Sequence, residues 1–285
     1  MLDGYKIVSV TPAGRRRYID VLAKYLLAER GLIDQHEWWV NTDSSEDIDY
    51  LQEITRENPD FFRIVPASSS APTGGTRIEL HGDWCCRISE WFPRAIASDT
   101  IYIRLDDDIV YIAPGAIYNL LRFRIDHPEP FLVYPCIINN SIISHILQRQ
   151  GAIPLDQGRC DYDTWGLGWK DGSFAELVHR TFLSALENDD MTDWGFDKWQ
   201  LHYYERVSIN CIVWFGHDFA TFCGQVGRDE EPFLTTEMPS KLARPNIICG
   251  RSIVAHFSYY AQNAHMDKTD LLARYRSVQK RILNT

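Results

Sequence analysis

The sequence lacks any apolar run of the roughly 18 to 20 residues that a bilayer-crossing helix needs, and no basic stretch followed by an apolar one stands at its start. Neither a membrane-spanning nor a secreted protein is expected. Positive charge is also scarce: 29 Lys and Arg stand against 39 Asp and Glu, a formal charge of −10. That balance argues against a nucleic-acid backbone or an anionic membrane as the main partner. The seven cysteines include no C-x-x-C pair, and Cys85 and Cys86 are adjacent, so a disulfide framework is not expected and a reducing compartment is. No internal repeat is evident. What the 285 residues do have is 45% apolar and 13% aromatic content, enough to bury a sizeable core in one large or two fused lobes. The first strand candidate, Tyr5 to Val10, begins almost at once, which suits a cytoplasmic enzyme, with attachment to the inner face of a membrane compatible with it.

Strand and helix signals alternate, as in parallel α/β folds. Tyr5 to Val10 reads as a strand interrupted at Thr11 to Gly14, and Tyr18, Val21, Leu22, Tyr25 and Leu26 then recur at helical spacing. A short strand over Glu37 to Val40 ends at Asn41 and Thr42, and Ser45 caps a helix from Glu46 to Leu51. Residues 66 to 76 are loop by composition, with a helix expected over Trp84 to Ala97. The β-branched strand Thr100 to Leu105 then runs into Asp106, Asp107 and Asp108, and Ile109 to Ile112 resumes it. Helices are expected near Gly115 to Arg124, Asn140 to Gln148 and Phe174 to Leu186, and strands near Phe131 to Tyr134, Ser208 to Phe215 and Ile247 to His256. Five of the nine tryptophans, Trp165, Trp169, Trp194, Trp199 and Trp214, fall between Asp161 and Phe219, where they either pack the core or stack on an acceptor sugar.

Three carboxylates at a strand end occupy a position where α/β sheets gather ligands. They cannot all stay charged in a dry site without a counter-cation. Oxygen ligands suit Mg²⁺ or Mn²⁺, and such an ion can hold a diphosphate through its own oxygens. Residues two apart in extended backbone share a face, so Asp106 and Asp108 are the better ligand pair and Asp107 faces away, toward a ribose or a basic group. The bland alternative is a solvated acidic turn.

The segment IYIRLDDDIVYI resembles the DXD motif of GT-A glycosyltransferases, and KIVSVTPAGRRRYIDVL resembles their first nucleotide-binding strand and helix. DEEPFLTTEMP followed by IICGRSIVAHFSYYAQ resembles the C-terminal half of bacterial members with a DDD triplet. The resemblance implies one α/β domain around a mixed, mostly parallel sheet flanked by helices, with residues 1–112 binding the nucleotide-sugar and 113–285 the acceptor. It implies transfer of a sugar, UDP-linked by preference, to a glycan hydroxyl in surface polysaccharide synthesis. Asp106, Asp108 and His256 match the metal ligands, and Thr11, Pro12, Arg15, Asn41 and Thr42 match the nucleotide-holding positions, with Asp106 and Asp107 also on the donor side. Arg16 and Arg17 read better as a solvated helix start, and Arg77 and Arg87 are unranked candidates for the diphosphate.

An inverting transfer needs a carboxylate apart from the metal to take the acceptor's proton. Asp229, Glu230 and Glu231 resemble the acidic motif that carries this base, with Glu231 first by position and Glu230 second, although the family's motif usually ends in Asp. Asp190, in the cluster with Asp189 and Asp193, is the further candidate, and a retaining course stays open. Three rivals stand against this reading. A haloacid-dehalogenase-like phosphatase would place the acids near the N-terminus and follow them with Gly, where Ile109 stands. A sugar nucleotidyltransferase would place its Gly-rich loop after the first strand, whereas GGTR occupies 74–77. A non-catalytic sugar-binding relative would not need both the triplet and a downstream acidic cluster.

Overall fold

A computed structural model describes residues 1–67, 78–80, 83–85, 87–227 and 229–284. Most of the loop expected over 66–76, and with it GGTR and Arg77, lies outside the described residues. Strand β1 (Lys6–Ala13), helix α1 (Arg16–Ala28), β2 (Gln35–Val40), α2 (Ser45–Glu57) and β3 (Phe62–Val65) open the chain. A two-stranded ribbon, β4 (Ile78–Leu80) and β5 (Asp83–Cys85), leads through 3₁₀ turns to β6 (Thr100–Leu105) and β7 (Ile109–Ile112). Then come α3 (Ala116–Asp126), β8 (Val133–Ile138), α4 (Ser141–Arg149), α5 (Leu167–Lys170), α6 (Gly172–Glu187), β9 (Lys198–Gln200), β10 (Cys211–Phe215) and α7 (Gly216–Ala220). The short α8 (Glu230–Pro232) continues through a π turn into α9 (Met238–Leu242), before β11 (Ile247–His256), α10 (Asn263–Met266) and α11 (Leu271–Leu283).

The sheet runs β3-β2-β1-β6-β10-β8-β11-β7, with β9 beside the first part of β11. Strands β3, β2, β1 and β6 are mutually parallel; β10 turns antiparallel to both neighbours, and β8 and β11 resume the first direction. Among the described residues, six of the nine strands in this sheet therefore point one way, with β7, β9 and β10 opposed. This is the expected α/β arrangement around a mixed, mostly parallel sheet. Every residue of β6, β8 and β10 is buried, as in strands covered on both faces. The five apolar positions that announced α1 are all buried against the sheet.

Four expectations need correction. Thr11, Pro12 and Ala13 do not end β1: its register with β2 runs to Ala13↔Val40, whereas pairing with β6 stops at Val10↔Arg104. Pro12, with no N–H to donate, sits beyond that last β6 pair. The cap of α2 is Ser44, whose Oγ accepts from the Asp47 amide, not Ser45. The helix expected over Trp84–Ala97 is instead a strand and two 3₁₀ turns, Arg87–Glu90 and Phe92–Arg94. Pro93 bars an α-helical hydrogen bond there, and Trp91 and Phe92 are drawn into one aromatic cluster with Trp39, Trp214 and Phe219. Finally, β7 does not resume β6. The chain turns at the triplet, and β7 pairs with β11 at the far edge of the sheet.

Candidate functional site

That departure builds the site. Ile109 pairs with His256 across a bulge at Ala255/His256, and the Phe257 amide donates to the Asp108 carbonyl at 2.9 Å. On the other side, the Asp106 amide donates to the Asn210 carbonyl just before β10. The triplet thus spans the fork between two strands, and the C-terminal end of β11 closes over it.

A cleft of about 730 Å³ opens there. Pro12, Arg15, Asn41, Thr42, Asp106, Asp107, Asp108 and His256 line it, together with Arg104, Asn210, Tyr259 and Tyr260, to which the sequence alone gave no role. Thr11 does not: it is buried within β1, on the side opposite Pro12. Gly14 is required by close approach, since a Cβ would stand 2.7 Å from the Asn41 carbonyl oxygen.

The three aspartates occupy different electrostatic positions. Asp106 is held on both oxygens, by Arg104 Nη2 at 2.9 Å and by Asn210 Nδ2 at 3.2 Å. Asp107 faces the basic group: it accepts from the Gly14 amide at 3.0 Å and from Arg15 Nε at 3.0 Å, with Arg15 Nη2 also in contact. Asp108 is 0% exposed, and among the described residues neither of its carboxylate oxygens receives a hydrogen bond. Arg15 Nη2 lies 3.0 Å from its Oδ2 but out of hydrogen-bond alignment, and His256 Nε2 lies 3.5 Å from its Oδ1. His256 Nδ1 is likewise buried without a hydrogen-bond partner among the described residues. A buried carboxylate left in this state is costly unless a cation completes it. One ligand atom each from Asp106, Asp108 and His256 lies within 4.8 Å of the others. Two carboxylates and an imidazole form a donor set that fits Mn²⁺ or Mg²⁺.

The acids expected to act as base are divided. Neither Glu230 nor Glu231 lines the cleft; Glu230, on α8, stands behind a residue that does, with its Oε1 3.7 Å from Arg104 Nη1 and its Oε2 accepting from Ser89 Oγ at 3.4 Å. Glu231 accepts from Arg206 Nε at 2.6 Å, and Arg206 also covers the Trp165 ring. Burial pushes both carboxyls above the usual glutamate range; Arg104 partly offsets this for Glu230, and Arg206 does so for Glu231. Glu230 is the less accessible of the two, with 9% of its side chain exposed against 19%. Asp190 is exposed at the end of α6, accepting from Thr192, and does not line the cleft. Arg16 and Arg17 are exposed, Arg17 pairing with Asp267, and Arg87 donates to Asp43. Of the five clustered tryptophans, Trp194 and Trp214 are core, whereas Trp165 is 42% exposed and leads through Trp169 to Tyr259 at the cleft wall.

No protein-family model and no curated protein matches the sequence. Solved structures with similar chain paths include glucosyl-3-phosphoglycerate synthase from Mycobacterium tuberculosis in complex with Mn²⁺, UDP and phosphoglyceric acid, at 16% identity and a TM-score of 0.45, covering 97% of this chain and 79% of that one. A mycobacterial protein is similar at 15% identity and 0.47 over 99% of this chain and 74% of that one. CMP:2-keto-3-deoxy-manno-octonic acid synthetase complexed with CTP is similar at 12% identity and 0.46, over 96% and 99%. Likenesses of this depth concern the course of the chain and say nothing of its side chains.

Proposed function

We propose that the protein is a metal-dependent glycosyltransferase that moves a sugar from a nucleoside diphosphate donor, UDP-linked by preference, to a glycan hydroxyl in surface polysaccharide synthesis. The observation that carries this reading is the convergence of Asp106, Asp108 and His256 on one point, with the oxygens of Asp108 buried, facing Arg15 and His256, and accepting no hydrogen bond from the described residues. These three residues would hold Mn²⁺ or Mg²⁺, which when bound offsets charge on a departing diphosphate. The part of the cleft formed within residues 1–112 would take the donor: Asn41, Thr42 and Pro12 beside the nucleoside, and Arg15 toward phosphate. Residues 113–285 would take the acceptor, with Trp165 and Tyr260, 42% and 88% exposed, offering faces to sugar rings.

In an inverting course the acceptor oxygen attacks the anomeric carbon, the bond to the diphosphate breaks, and the acceptor's proton passes to a carboxylate. The Arg104 contact that joins Glu230 to Asp106 supports Glu230 ahead of Glu231 for that role. A carboxyl whose affinity for protons is raised by burial suits proton uptake near neutral pH. Calorimetric titration with UDP and GDP, with and without Mn²⁺, tests the reading. Tight binding is expected only with metal, and Asp108→Ala should abolish the metal's contribution. Binding of neither nucleotide, or binding indifferent to metal and to Asp108, would overturn it. Release of nucleoside diphosphate rather than pyrophosphate on turnover separates a transferase from a nucleotidyltransferase.

A further inference from the structure

Asp106 owes its orientation to a chain of amides that starts at a helix cap. Asn140 caps α4, its Oδ1 accepting from the Ile143 amide at 3.4 Å. Its Nδ2 is therefore the donor end, and it reaches the Ser208 carbonyl at 3.1 Å and Asn210 Oδ1 at 3.2 Å. Tyr259 Oη donates to that same Asn210 oxygen at 3.2 Å. With two donors on its oxygen, the Asn210 amide has one orientation left, and its Nδ2 points at Asp106 Oδ2. Tyr259 does a second thing: its ring lies 4.7 Å from the His256 imidazole, centroid to centroid. One side chain thus touches both the residue that aims Asp106 and the histidine across the site. Asn140, Asn210, Tyr259 and His256 are all buried, which strengthens these bonds.

We propose that Asn210 and Tyr259 are positioning residues that fix Asp106 and His256 relative to each other for metal binding. This assignment rests on the reading that those two residues, with Asp108, hold a divalent ion. Each oxygen of Asp106 is engaged by one donor, Arg104 on Oδ1 and Asn210 on Oδ2, which leaves lone-pair capacity on both for an ion while removing freedom to rotate. Groups that orient metal ligands in this way typically change metal affinity by about 10- to 100-fold when removed.

The test uses Mn²⁺ alone as the probe, with the free ion counted by electron paramagnetic resonance, on the full chain and two variants. Tyr259→Phe keeps the ring against His256 and removes only the hydroxyl; Mn²⁺ binding is expected to weaken by about tenfold. Asn210→Ala leaves the backbone bond to the Asp106 amide in place and removes the three side-chain amide contacts, to Asn140, Tyr259 and Asp106, with weakening toward about 100-fold expected. Thermal midpoints measured alongside keep the assignment falsifiable. If both variants bind Mn²⁺ within about twofold of the parent while their midpoints fall, the pair is merely structural and the assignment is overturned. If the parent binds no Mn²⁺, the metal reading falls and this assignment with it.

Discussion

The two halves of the sheet do different work at the cleft. On the β3-β2-β1-β6 side, parallel strands end in charged groups: Arg15, Arg104 and the three aspartates. On the β10-β8-β11 side, the contributions are neutral or aromatic, namely Asn140, Asn210, His256 and Tyr259, and most of their polar atoms are already paired. Apart from His256, which stands with the candidate metal ligands, the neutral side carries orientation, and the charged side carries the acids to be held. A site divided in this way separates what binds from what aims, and substitutions on the two sides should fail differently.

The largest expected effect is on turnover. Glu230→Gln removes the carboxylate beside Arg104 without changing its size, and kcat should fall by about 10²- to 10⁴-fold at unchanged donor affinity. Glu231→Gln, whose acid is committed to Arg206, should lose far less, on the order of tenfold. Steady-state kinetics that put the larger loss on Glu231 would reassign the base, and full activity in both variants would leave the reaction without either acid.

Within the triplet the contrast is between affinity and stability. Asp107→Ala removes the Gly14 and Arg15 contacts and should destabilise the fold by about 2 kcal/mol, discounted for the exposed part of Arg15. Asp108→Asn relieves a buried charge but also loses the pairing with Arg15 at 3.0 Å, so the metal-free thermal midpoint should move little, while Mn²⁺-dependent nucleotide binding falls by about 100-fold. Calorimetry and melting on the same two variants decide it. Loss of metal dependence in Asp107→Ala as severe as in Asp108→Asn would erase the division.

Much of this was legible and some was not, for physical reasons. Helix α1 showed in its apolar spacing because one face of it is buried, and β6 showed in its β-branched run because both faces are. The triplet stood out because like charges after an apolar strand require an explanation. The course of the chain after Asp108 did not show, since Ile109–Ile112 is apolar whether it continues β6 or crosses to β11. Asn210 gave no signal either. An asparagine before an apolar strand is ordinary, and its role appears only when Asn140 and Tyr259, 70 and 49 residues away in sequence, meet it. The same holds for Trp91 and Phe92, whose aromatic partners come from β2, β10 and α7 and overrode a helical reading.

A smaller effect concerns pH. Glu230 and Glu231 have folded-state proton affinities raised above those of the unfolded chain. Their stabilising contribution is therefore present below the ordinary glutamate range and is lost as pH rises through the raised values. The metal-free protein should melt at a lower temperature at neutral pH than at mildly acidic pH, once other groups are accounted for by comparison with Glu230→Gln, which should show a shallower slope and a higher neutral midpoint. Turnover should run the other way, rising with pH as the base ionises. Parallel slopes in parent and variant would mean that Glu230 does not report through this cleft.

The smallest expected effect gives the sharpest comparison, because it sets two helix caps of the same kind against each other. Ser44 caps α2 on the charged side and is exposed; Asn140 caps α4 on the neutral side and is buried. Ser44→Ala should lower stability by about 1 kcal/mol and leave Mn²⁺ binding as it was, since the Ser44 hydroxyl serves the Asp47 amide and stands apart from the metal ligands. Asn140→Ser keeps a capping oxygen for the Ile143 amide but removes the Nδ2 that orients Asn210. Its effect should appear chiefly in Mn²⁺ affinity, several-fold weaker by paramagnetic resonance, because Asn210 can then turn its oxygen toward Asp106 and repel the carboxylate it now holds. Equal effects of the two substitutions on metal binding would mean that the amide chain is packing and nothing more. A metal deficit confined to Asn140→Ser would trace the aim of Asp106 back to the first turn of α4.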